Sequence, residues 1–235
     1  MNIPRYVSST AFVAVLLSAL TTPVLAATYK VDTLEPMSGG FGFTTPTDIN
    51  ASGQAVGQSV LGDTYISVFW DSAGKITVLT PNVDAFSGPA GISDAGTAVY
   101  TDNNRYYSWN AGAVVDLGAS SIGIPSGLAV NGKGQIAGIF NGIFGVWTNG
   151  VVSPLPAPVS AVVQDINNNA EAVGFDYSSA LKVYRAALWR NGTIEQLGTL
   201  PGDANSFAYA MNDVAQVVGY TANGFRRTHF FGRME

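Results

Sequence analysis

Apolar residues alternate with small or polar ones over runs of four to seven positions along most of this chain. No 3.6-residue period lasts beyond a turn or two after the first 26 residues. Alternation with a step of two predicts half-buried strands rather than amphipathic helices. The clearest stretch predicts four strands in succession: Thr193 to Leu197, Ser206 to Met211, Ala215 to Tyr220 and Arg227 to Phe231. Asn131-Gly132, Asn149-Gly150, Asn191-Gly192 and Asn223-Gly224 fall between such strands. They are predicted hairpin turns, because Asn and Gly accept the positive φ these turns require.

The alternation recurs as a repeat. Ile49-Asn50-Ala51-Ser52-Gly53-Gln54-Ala55-Val56-Gly57 returns around Ser93, Asn131, Asn167 and Asn212, at steps of 43, 38, 36 and 45 residues. A glycine or alanine stands three residues after each marker, at Gly53, Gly96, Gly134, Ala170 and Ala215. An aromatic mark follows each copy: Phe69-Trp70, Ser108-Trp109, Val146-Trp147, Leu188-Trp189 and Phe230-Phe231. A short strand ending in leucine is the third signal, at Val31 to Leu34, Ile76 to Leu79, Val114 to Leu117, Val151 to Leu155 and Ile194 to Leu197. Four strands per period of about 40 residues is the size of a propeller blade. A lone blade leaves both faces bare, and stacked blades bury them.

The expected fold is therefore all-β: a five-bladed β-propeller of four-stranded antiparallel blades. The units run at about 34–75, 76–113, 114–150, 151–192 and 193–235. The N-terminal strand Tyr29 to Leu34 is surplus and the last unit lacks a leucine-ended strand, so the ring is expected to close by Tyr29 to Leu34 pairing with Arg227 to Phe231. Closure would cover two edges open to aggregation. The tryptophans are expected between blades rather than as ligand platforms.

The first 26 residues change the picture from a cytoplasmic chain to an exported one. Arg5, the apolar run Ala11 to Leu20, Pro23 and then Val24-Leu25-Ala26 read as a signal peptide cleaved after Ala26. The run is too short for the roughly 20 residues that span a bilayer. A secreted or periplasmic location follows as an expectation, with residues 27–235 as one domain. The chain has 11 Lys and Arg against 16 Asp and Glu and no cysteine. That balance excludes a phosphate-binding surface, so nucleic acid is not an expected partner. An exported fold without cysteine rests on packing rather than disulfides.

Leu197-Gly198-Thr199-Leu200-Pro201-Gly202-Asp203, Ser206-Phe207-Ala208-Tyr209-Ala210-Met211-Asn212, Gln216-Val217-Val218-Gly219-Tyr220 and His229-Phe230-Phe231 together resemble the HAF-repeat family of bacterial extracellular repeat proteins. Phe230 stands where that family has alanine. The other units keep the aromatic end without the histidine, and Met37-Ser38-Gly39-Gly40 resembles the family's Pro-Gly-Gly turn. The resemblance implies export and a repeat architecture, and no particular activity.

Candidate chemistry is sparse. His229 is the single histidine, too few for a zinc site without cysteine, and no Gly-x-Ser-x-Gly elbow accompanies it. Asp48, Asp165 and Asp213 lie near equivalent turns. They read as caps of those turns through side-chain to backbone bonds, or else as paired acids of a glycoside-cleaving enzyme. Asp165 to Asn169 and Asp102-Asn103-Asn104 offer oxygen ligands without EF-hand spacing. No cofactor is expected, and calcium is the one metal left open. Loop lengths vary most around Leu61 to Tyr65 and Tyr177 to Val183, which makes Tyr65, Tyr177 and Tyr184 the candidate binding residues. The expected function is a monomeric, non-catalytic binding or surface-scaffold module for a glycan or an extracellular protein. The alternative is an extracellular polysaccharide hydrolase or lyase with paired carboxylates on one propeller face.

Overall fold

A computed structural model of the chain describes residues 33–37, 43–80, 87–119, 127–156 and 160–232. The expected signal peptide and the strand Tyr29 to Leu34 up to Asp32 lie outside the described residues. Among the described residues there is no helix, and every sheet is antiparallel with its strands in chain order. The first sheet holds β1 (Thr44–Ile49), β2 (Ala55–Leu61), β3 (Thr64–Trp70) and β4 (Ile76–Val78). The second holds β5 (Gly88–Ile92), β6 (Ala98–Asp102), β7 (Arg105–Asn110) and β8 (Ala113–Ala119). The third holds β9 (Ala129–Val130), β10 (Ile136–Phe140), β11 (Ile143–Thr148) and β12 (Val151–Pro154). The fourth holds β13 (Val162–Ile166), β14 (Ala172–Ser178), β15 (Val183–Arg190) and β16 (Thr193–Gln196). The fifth has three described strands, β17 (Asn205–Met211), β18 (Val217–Asn223) and β19 (Arg226–Gly232).

The repeat motif is a turn that also ties sheets together. Asn50 Oδ1 accepts the backbone N–H of Ser52 (3.0 Å) and Gln54 (2.9 Å), which closes the turn from β1 into β2. Its Nδ2 then donates to the carbonyl of Ser93 in the second sheet, 3.0 Å away. Asn131 donates in the same way to Asn167 (2.8 Å), and Asn167 to Asn212 (3.2 Å). The residue three after each marker takes the positive φ that the turn needs: 75° at Gly53, 80° at Gly96, 77° at Gly134, 59° at Ala170 and 55° at Ala215. Asn131-Gly132 therefore belongs to this turn and not to a two-residue hairpin. Asn149-Gly150 and Asn191-Gly192 are the two-residue hairpin turns expected, with positive φ at both residues.

Two details of the sequence reading shift. The leucine-ended strand closes the sheet before it: Leu79, Leu155 and Leu197 donate their N–H to Ser67, Phe144 and Ala186 in the preceding strand. Each sheet thus takes its outer strand from the start of the next sequence unit. The last aromatic mark is also one residue out of register. Trp70, Trp109, Trp147 and Trp189 stand opposite Ala55, Ala98, Ile136 and Ala172, whereas Gly232, not Phe231, stands opposite Val217. Phe231 pairs with Val218 as Leu188 pairs with Val173.

The core lies between sheets. One cluster joins the first and second sheets through Val56, Phe69, Ile92 and Tyr100. Others join second to third through Val99, Tyr106, Leu128 and Ile136, third to fourth through Ala137, Val146, Val163 and Trp189, and fourth to fifth through Val173, Leu188, Ala208 and Val217. No such cluster among the described residues joins the fifth sheet to the first. The positions that would build it are bare. Val218 is 43% exposed where its counterpart Val173 is 0%, Phe231 is 61% exposed where Leu188 is 1%, and Ile49 is 68% exposed where Ile166 is 4%.

Candidate binding surface

Tyr177 and Tyr184 are cross-strand partners in the β14–β15 hairpin. Both strands need extended backbone there, and a tyrosine on each projects from the same face, as opposed residues of an antiparallel pair do. Their ring centroids are 5.1 Å apart. Tyr184 also meets Phe175 edge-on at 5.8 Å and Phe207 of β17 at 5.4 Å. Phe207 stacks on its cross-strand partner Tyr220 at 4.8 Å, and Tyr220 meets Tyr209 at 5.6 Å. The guanidinium of Arg227 caps Tyr220, 4.9 Å from the ring centroid. Six rings therefore run as one belt from the fourth sheet onto the fifth.

The belt is held at its middle. Tyr184 N–H donates to Asn205 Oδ1 at 2.9 Å, and Arg185 Nη1 donates to the carbonyl of Ala204. Aromatic pairs of this geometry add about 0.5–1.5 kcal/mol each beyond the area they bury. Part of the belt is thus sheet packing, but two of its rings stay half open: Tyr184 is 41% and Tyr209 46% exposed. Burial raises the Tyr209 hydroxyl pKa, and its hydrogen bond with Tyr220 raises it further. Tyr65 sits on β3 at the register position of Tyr184 and is also exposed, but the belt's ring contacts do not include it. The structure brings Tyr177 and Tyr184 together and leaves Tyr65 on another sheet.

Beside Tyr177 the hairpin loop and β16 enclose an open cleft of about 470 Å³. Asp176, Arg185 and Gln196 line it with Ser179 and Leu181. Gln196 Nε2 donates to Asp176 Oδ1 at 3.1 Å. Sequence reading missed Phe175, Phe207, Tyr209, Tyr220 and these polar residues. Phe207-x-Tyr209 on one strand and Tyr220 on the next carried a visible signal, but their link to Tyr184 crosses between sheets.

The acidic candidates do structural work. Asp48 accepts N–H groups from Ile49 (2.8 Å) and from Ile92 of the next sheet (2.9 Å). Asp165 repeats this with Ile166 (2.8 Å) and Met211 (2.7 Å). Asp213 accepts the backbone N–H of Asn168 (2.8 Å) and its Nδ2 (3.0 Å), and these bonds hold its pKa below the usual carboxylate range. Burial raises the Asp165 pKa, the two N–H groups oppose that, and the charge of Asp48 adds to the rise. Both carboxylates cap turns and pin the following sheet. Asp102-Asn103-Asn104 is a hairpin turn with φ of 46° and 58° at the two asparagines. His229 is exposed in β19 opposite Tyr220. Among the described residues no three His, Cys, Asp or Glu gather to hold a metal ion, and no helix is long and apolar enough to cross a membrane.

No protein-family model matches the chain, and no curated protein does. Among the solved structures that match is one titled "Streptogramin B lyase structure", at 12% identity and a TM-score of 0.51, covering 83% of this chain and 70% of that one. At that identity the likeness concerns the fold alone. It agrees with an all-β, propeller-like array of antiparallel sheets.

Proposed function

We propose that this chain is an exported, non-catalytic binding module, secreted or periplasmic, whose aromatic belt across the fourth and fifth sheets takes a glycan. The observation that carries the reading is the belt itself: six connected rings on rigid strands, with Tyr184 and Tyr209 half open. Sugar rings present flat C–H faces edged by hydroxyls, and a row of aromatic faces with polar neighbours suits both. An extracellular protein is the other partner class for the same surface. The test is a glycan and cell-wall-fragment array with residues 27–235, run with and without calcium, alongside Tyr177→Ala and Tyr184→Ala. Binding that falls at least tenfold in both variants supports the belt. Binding unchanged in both removes it.

The scaffold of this reading is a closed ring. Leu34 and Glu35 stand to Trp70 as Leu155 and Pro156 stand to Trp189. Trp70 Nε1 donates to the Glu35 carbonyl and Trp189 Nε1 to that of Pro156, both at 2.9 Å. Leu34 packs on the first sheet's cluster as Leu155 packs on the fourth's. Leu155 follows β12, the outer strand of the preceding sheet. On that likeness we propose that the residues before Leu34 supply the outer strand of the fifth sheet, pairing Tyr29 to Leu34 with β19. Closure would bury Val218, Phe231 and Ile49, and would give Asn212 the next carbonyl in the asparagine series.

One observation favours a second reading, a polysaccharide hydrolase or lyase. Asp165 has a raised pKa and feels the charge of Asp48, as an acid of a catalytic pair would. Release of reducing ends from a bound polysaccharide, abolished in Asp165→Asn, would support it. A ligand recovered intact after prolonged incubation rejects it.

A further inference from the structure

The cleft at the end of the belt has a polarity of its own. A carboxylate accepts hydrogen bonds and donates none, so Asp176, buried beside the cleft, can take a ligand donor in addition to the one Gln196 gives it. Gln196 gives its Nε2 to Asp176 and keeps Oε1 as an acceptor. Arg185 uses Nη1 on the carbonyls of Tyr184 and Ala204, which leaves its other N–H groups as donors. Donors and acceptors thus alternate around one wall, as a pair of adjacent hydroxyls requires, since each hydroxyl both donates and accepts. Tyr177 and Leu181 supply the apolar side. One carboxylate and one guanidinium leave the wall without net charge. The volume of about 470 Å³ lies within the 300–1,000 Å³ usual for small-ligand pockets.

We infer that this cleft is a terminal subsite for a neutral sugar ring, read through its vicinal diol by Asp176, Gln196 and Arg185. The inference rests on the glycan reading of the belt and adds to it a specificity site. The belt grips successive rings by their faces and is tolerant of sugar type. The cleft selects by hydroxyl pattern and charge. A uronic acid would bring a second carboxylate beside that of Asp176 and leave the single guanidinium of Arg185 to serve two like charges. A ring that has lost its diol would forgo its bonds to Asp176 and Arg185, which are charge-assisted and stronger than neutral ones.

The experiment is titration calorimetry of the purified protein with neutral hexasaccharides of glucose and of mannose, with the same sugars after periodate cleavage of their diols, and with a hexagalacturonate. Gln196→Ala is the main variant, because Gln196 is exposed and its loss is tolerated by the fold, as an unchanged melting temperature would verify. Tyr209→Ala reports on the belt. The expected result is binding of a neutral hexasaccharide, at least tenfold weaker binding after periodate and of the galacturonate, and at least tenfold weaker binding in Gln196→Ala. Unchanged affinity in Gln196→Ala beside a loss in Tyr209→Ala overturns the subsite and leaves the belt standing. Galacturonate bound as tightly as the neutral sugars also overturns it. No binding of any of these sugars removes the glycan reading itself, and the subsite with it.

Discussion

Gly174 offers the sharpest test of how tightly the sheets are built. It closes the fourth copy of the repeat motif, and a Cβ placed on it would lie 1.9 Å from the carbonyl oxygen of Val162 and 3.1 Å from Val163 Cα. The inner strand bulges there, between Val163 and Asp165, and comes down onto β14. Carbon and oxygen do not approach closer than about 3 Å, so Gly174→Ala must push the strands apart by roughly 1 Å. Neither side can yield freely. Val173 is packed against the fifth sheet and Ala172 against the third. If β13 moves, Asp165 loses its hold on Ile166 and Met211. Overpacking of this kind costs about 1–3 kcal/mol, and each strained hydrogen bond adds about 1 kcal/mol. A total of about 3–5 kcal/mol would lower the melting temperature by roughly 6–20 °C for a chain of this size. Thermal melts followed by circular dichroism read this directly. Gly192→Ala is the control: its φ of +71° makes alanine strained, but nothing lies within 4 Å, so its cost is limited to about 1–2 kcal/mol. If Gly174→Ala melts no lower than Gly192→Ala, the close approach does not hold in solution.

Three other outcomes are expected. Asp102 is buried and its Oδ1 has no hydrogen-bond partner, and burial raises its pKa above the usual carboxylate value. The folded state then binds the proton more tightly than the unfolded one, so stability falls as pH rises from the unfolded to the folded pKa. Asp102→Asn should remove that slope and raise stability at neutral pH by on the order of 1 kcal/mol, measured by urea denaturation at pH 4 and pH 7. An unchanged slope would mean the carboxylate is solvated. Phe231→Ala should cost about 3 kcal/mol if closure buries the ring, and a change within about 0.5 kcal/mol is what an exposed side chain would give. Asp48→Asn should lower the pKa of Asp165, since the Asp48 charge helps raise it; a carboxyl resonance that titrates as before would show the two are independent.

Much of the fold is legible in the chain because the same turn chemistry is written five times. Asn, Gly and the small residue at the third position have local jobs, and local jobs survive in sequence. The Trp marks are likewise set by register within one sheet, and only the last slipped, since Phe231 looks like a match where Gly232 holds the position. The binding surface is less legible. Tyr177 and Tyr184 could be picked out from loop length, but Phe207 and Tyr220 join them only through packing between sheets 23 or more residues apart in sequence. Tyr65 carries the same local signal as Tyr184 without those neighbours. Asp48 and Asp165 could be read as caps, but that each pins the following sheet needs the third dimension.

Ring closure is the claim on which the rigidity of the belt depends, and the absence of native cysteine makes it directly testable. If the N-terminal strand pairs with β19 as proposed, in the register of β15 with β16, Asp32 falls opposite Phe231 as Glu195 does opposite Leu188. Asp32→Cys paired with Phe231→Cys in the chain of residues 27–235 should therefore form an intramolecular disulfide under mild oxidation. The expected result is a monomer with near-complete loss of free thiol and a raised melting temperature. Free thiols that persist, or disulfides found only between chains, would contradict closure by the N-terminal strand.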